Sequence, residues 1–107
     1  MTTTPIRRHI QPSYAALSTL LGGQATVIAG VLDGGGLVPL TLEDLSTPVV
    51  WGGAMTYSVR LTGPPERRLS PGRYELVHAE CSFVLSLFPV AADTAHAHYE
   101  AYLSEAA

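Results

Sequence analysis

Lysine is absent from this 107-residue chain, whose six basic side chains are all arginine. Nine carboxylates outweigh them for a net charge of −3, so no phosphate-binding or nucleic-acid face is expected. Cysteine occurs once, as Cys81, which excludes an intramolecular disulfide and every zinc signature built on cysteine pairs. No apolar run approaches the roughly 18 residues of a membrane helix, and no basic-then-apolar leader opens the sequence. A soluble cytoplasmic protein without a membrane partner is therefore expected. Charged residues are scarce at 14%, whereas 47% are hydrophobic, a balance that fills a core and argues against disorder. One domain is expected at this length, able to fold without disulfide, metal or cofactor.

What is present reads mostly as strands. Residues 1–12 are polar, carry Arg7, Arg8 and His9, and read as a flexible arm; 104–107 read as a flexible tail. Tyr14, Leu17, Leu20 and Leu21 recur at helical spacing, with Ser13 placed to cap and Gly22-Gly23 to stop a short helix over 13–21. Beyond it the period falls to two. Residues 24–32 and 37–42 flank Asp33-Gly34-Gly35-Gly36 as a hairpin, and Pro39 marks an edge or a bulge. Glycines opening directly into a helix would cradle phosphate, but no helix follows these.

Residues 44–53 read as a loop that holds Trp51. Met55, Tyr57, Val59 and Leu61 then alternate with polar residues, as in a strand with one dry and one wet face. Tyr74, Leu76 and His78 alternate in one strand; Cys81, Phe83, Leu85 and Leu87 alternate in the next, which Pro89 is expected to end. A two-residue turn at Ala79-Glu80 would set His78 opposite Cys81. For residues 91–107 alternation favours a last strand over a helix. The expected fold is a mostly β domain, a small antiparallel barrel or compact sandwich of five or six strands with one N-terminal helix. Its expected core is Leu17, Leu21, Val27, Val31, Met55, Tyr57, Val59, Leu61, Tyr74, Leu76, Phe83, Leu85 and Leu87.

Three groups could carry function. His96, His98 and Glu100 share a strand face, and two imidazoles with a carboxylate suit zinc or iron, although such triplets are common on wet faces. His78 beside Cys81 could form a thiolate–imidazolium pair, with Tyr74 as a proton donor and Glu80 or Asp93 as an orienting group. A cysteine ending an apolar face more often behaves as a small hydrophobe. Trp51 either folds back to plug one end of a barrel or forms a docking hot spot.

Leu69-Ser-Pro-Gly-Arg-Tyr-Glu-Leu-Val-His78, Phe83-Val-Leu-Ser-Leu-Phe-Pro-Val90 and Tyr99-Glu100-Ala101 resemble the strands of a small uncharacterised bacterial domain family. The family also has an opening helix comparable to the one before Gly22-Gly23. The resemblance spans residues 57–103 and leaves out the loop around Trp51. It implies a β fold and an accessory or assembly role beside phage-tail collar-like proteins, with no catalytic residue to transfer. The expected function is a non-catalytic interaction or assembly domain with a protein partner or a second copy. The alternative is a small barrel that binds a small molecule, or runs an acid/base or cysteine-dependent step in a specialised biosynthetic pathway.

Overall fold

The computed structural model describes residues 8–21, 27–31, 37–78 and 81–107, with backbone alone for residues 8 and 27–31. Among them the order is β1 (Arg8–His9), α1 (Tyr14–Leu20), β2 (Val27–Val31), β3 (Leu37–Leu45), β4 (Val49–Trp51), β5 (Ala54–Gly63), β6 (Gly72–His78), β7 (Cys81–Ala92) and β8 (Ala97–Ala106). All eight strands join one sheet. It curls so strongly that antiparallel pairings run unbroken through β2, β3, β5, β8, β7 and β6 and back to β2. The fold is the small, mostly β, antiparallel architecture with one short helix that the alternation implies.

Alternation explains which side chains fill the interior. Tyr57, Val59 and Leu61 from β5 meet Phe83, Leu85 and Leu87 from β7 and Ala97, Tyr99 and Ala101 from β8 in one buried cluster. Helix α1 adds Leu17, 1% exposed. Its first turn is capped as expected, the Ser13 hydroxyl accepting the Ala16 N–H at 3.1 Å. Tyr14 sets its ring edge-on to Tyr57, centroids 5.1 Å apart. Met55, Tyr74 and Leu21 pack on the cluster while partly exposed. The side chains of Val27 and Val31, and the turns at Gly22-Gly23, 33–36 and 79–80, lie outside the described residues.

Several boundaries differ from the expectation. The segment 44–53 is not one loop: β3 continues through Leu45 across a bulge at Glu43, and Val49–Trp51 pairs with β5. Beside the long strand β5, continued pairing satisfies backbone groups that a loop would leave to water. Pro89 does not end β7, which runs on to Ala92 against β8 with an irregularity between Pro89 and Ala91; a bulge tolerates the missing N–H. Pro39 pairs only with Ala29 of β2, beyond the reach of β5, so β3 is locally an edge there.

The terminal segments are also paired. Arg8 and His9 run parallel to Cys81 and Ser82, and Ile10 donates to the Ser82 carbonyl at 2.8 Å, so this part of the arm is a strand. Ser104 to Ala106 are the last rungs of β8 on β5 rather than a flexible tail.

Candidate functional site

The two-residue loop Gly52-Gly53 joins β4 to β5. Both glycines have positive φ, 60° and 79°, the twist that matches a tight hairpin to its strands. An L side chain at either would be strained there. This turn projects Trp51 into solvent, where it is 85% exposed, beside Val49 at 62% and Val50 at 61%. The reading in which Trp51 plugs a barrel end is thereby overturned. Leu17, and Tyr14 against Tyr57, pack in the interior from which Trp51 is absent.

Val49 pairs with Thr56 and Trp51 with Ala54, so both point to the outer face of the sheet. That face continues across β5 to Tyr102 on β8, itself 63% exposed. An open groove of about 420 Å³ lies along it, lined by Ser46, Thr47, Val49, Thr56, Ser58 and Tyr102 among others. Phe88 of β7 approaches Tyr102 with centroids 6.1 Å apart. An uncharged, partly apolar strip thus crosses the outer face from the hairpin tip.

Farther along this face the side chains turn polar. Arg60 pairs with Glu100 at 3.2 Å, and the Tyr102 hydroxyl donates to the other carboxylate oxygen. The Tyr102 bond first and the Arg60 bond second hold the Glu100 carboxyl below its usual range, and the bond to Glu100 holds the Tyr102 phenol above its own. Thr62 donates to Glu43 at 2.9 Å. His98 Nε2 lies 3.1 Å from Asp93 Oδ2, while Asp93 Oδ1 accepts the N–H groups of Ala95 and His96 at 2.8 and 2.7 Å. The His98 hydrogen bond, then those two amides, lower the Asp93 carboxyl to about 2.

The metal-type triplet is not assembled by this geometry. His96 and His98 rings are 6.2 Å apart, but Glu100 turns to Arg60 and Tyr102. Among the described residues no three His, Cys, Asp or Glu side chains gather as metal ligands do. Asp93, which bonds His98, and Arg60 and Glu43, which line a groove with both histidines, join this cluster without any signal in the local sequence. A carboxylate five residues before His98 signals a partner only once a turn folds it back.

His78 and Cys81 do stand opposite each other, with Tyr74 opposite Leu85 and Leu76 opposite Phe83, in the register the two-residue turn implies. Cys81 is half-buried, and β1 lies along its other edge, which the sequence did not foretell. Tyr74 is not a proton donor to that pair. Its hydroxyl donates to the Ser70 carbonyl at 2.6 Å, and it sits four residues up β6 from His78. Asp93 is likewise committed to His98, and Glu80 lies outside the described residues.

The family model for a domain of unknown function, DUF6916, matches residues 12–103. No curated protein and no solved structure matches the chain.

Proposed function

The chain belongs to the DUF6916 family of domains of unknown function, and we propose that this domain is a non-catalytic interaction or assembly module that docks through the tip of its β4–β5 hairpin. One observation carries the reading: Trp51, 85% exposed, stands outside the core beside a two-glycine turn. Tryptophan is among the residues that most often dominate binding energy, because a large rigid ring loses little entropy when it is covered. Val49, Val50 and Tyr102 extend the apolar area around it. The setting proposed for such a module is an accessory part of a phage-tail-like particle, which rests on the family resemblance, acting in the cytoplasm, which rests on the sequence pattern alone.

The test compares the wild type with Trp51→Ala. Thermal stability should change by no more than about 0.5 kcal/mol, as for a surface substitution, while co-purification with the products of neighbouring genes is lost. A loss of about 3–5 kcal/mol, as when a buried tryptophan is truncated, would return Trp51 to the core and end the reading.

A second reading has the His78–Cys81 register as its support: a barrel that runs a cysteine-dependent or acid/base step, or holds a small molecule. Thiol alkylation against pH decides it. Half-titration at about 8.5, the value of an ordinary cysteine, would rule out an activated Cys81 and with it the cysteine-dependent step.

A further inference from the structure

The partner at the hairpin tip follows from the backbone of β4. Ala107 donates its N–H to the Gly53 carbonyl at 3.0 Å, the bond that flanks the Ala54–Ala106 pair. Ala54 therefore makes no hydrogen bond of its own toward β8, and its N–H and C=O face β4. Across the turn they meet Trp51, as a two-residue hairpin requires. Alternation then directs the N–H and C=O of Val50 away from β5, to the free edge. Among the described residues β4 has β5 as its single neighbour and ends the sheet order.

Resting on the docking role proposed above, we propose that the occupant of this edge is a second copy of the same chain. The two β4 strands pair antiparallel about a two-fold axis through Val50. The Val-Val-Trp edge is self-complementary in that register. Each Val50 N–H donates to the Val50 carbonyl of the other copy, and Val49 of each copy faces Trp51 of the other. Both of those side chains lie on the outer face, so each indole covers a valine.

Charge favours the same occupant. Residues 45–58 contain no charged side chain, in a molecule whose net charge of −3 sets two copies against each other elsewhere. Glu105 sits across β5 from this edge, opposite Met55. Pro48, just before β4, has no N–H to extend the ladder, which confines the pairing to a short register. A two-fold contact uses the edge once in each copy and closes, so the assembly stops at a dimer.

The area is modest. One exposed tryptophan, two valines and a short ladder fall below the roughly 800 Å² per partner of standard interfaces, so dissociation is expected on the order of 100 μM.

Sedimentation velocity of the full chain, from micromolar to millimolar concentration, tests this beside the emission of its sole tryptophan. The expected result is a mass that rises from 11.3 kDa toward twice that value while Trp51 emission shifts to the blue. Val50→Pro removes the N–H at the axis, and Val50→Lys sets two ammonium groups across it while leaving the backbone intact. Each should raise the dissociation constant about tenfold or more, with circular dichroism unchanged. Dimers unaffected by Val50→Lys would overturn the proposal. So would a monomer at every concentration with water-like Trp51 emission, an outcome that leaves the docking role standing with another partner. Blue emission from a monomer at every dilution would overturn both.

Discussion

The Tyr99 hydroxyl accepts the Leu69 N–H at 2.9 Å inside the protein, tying the 64–71 connection to β8. Tyr99 is 1% exposed and Leu69 3%, so no water replaces that bond. Tyr99→Phe keeps the ring packing and leaves a buried amide without an acceptor. A loss of about 1–3 kcal/mol is expected in denaturant unfolding.

Tyr57 has the opposite problem. Its buried hydroxyl has no hydrogen-bond partner among the described residues. Burial first, and the nearby Glu105 carboxylate second, push its phenol up to about 12. Because the folded value lies above the ordinary 10, this group leaves stability independent of pH below about 10 and lowers it as pH rises toward 12, where the unfolded chain ionises first. Tyr57→Phe should be neutral or stabilising by about 1 kcal/mol at neutral pH and should flatten the alkaline limb. Thermal melts between pH 8 and 12 check both.

Asp93 governs the acid side. Its carboxyl titrates at about 2 instead of 3.8, so it stabilises the fold fully above about pH 4 and loses that effect as pH falls toward 2. Asp93→Asn should remove the acid-dependent part of stability in that window. An NMR titration showing an unshifted Asp93 carboxyl would contradict the turn geometry.

Gly63 has no room for a side chain. A Cβ there would lie 2.7 Å from Leu40 Cδ2 and 3.4 Å from the Pro39 carbonyl. Leu40 is fully buried and cannot swing aside cheaply. Gly63→Ala should cost about 1–3 kcal/mol by overpacking, read as a lower melting temperature.

Much of the barrel is legible along the chain because its strands alternate cleanly. Met55 to Leu61 and Cys81 to Leu87 each place one residue in two inward, and a two-residue loop leaves one register for β6 on β7. The pairing of β8 with β5, and Leu69 beneath Tyr99, are not legible, since both join segments distant in sequence that no local pattern links. The candidate site divides the same way. His78 and Cys81 are neighbours through a local turn and could be placed in advance. Trp51 could not, because an apolar side chain just before two glycines is equally suited to a plug or a projection, and the Gly52-Gly53 backbone decides. Arg60 beside Glu100, likewise, depends on the register of β5 on β8.

That register also bears on synthesis. β5 leaves the ribosome with β3 and β4 available along one edge, but its other edge waits for β8, Gly63 for Ala97 and Ala54 for Ala106. The second half of β7 waits for the same strand. At about 5–20 residues per second, Tyr57, Val59 and Leu61 spend seconds without the neighbours that will bury them. The nascent chain is thus most open to chaperones and proteases in the interval before β8 emerges, and a ribosome paused between β7 and β8 would prolong it.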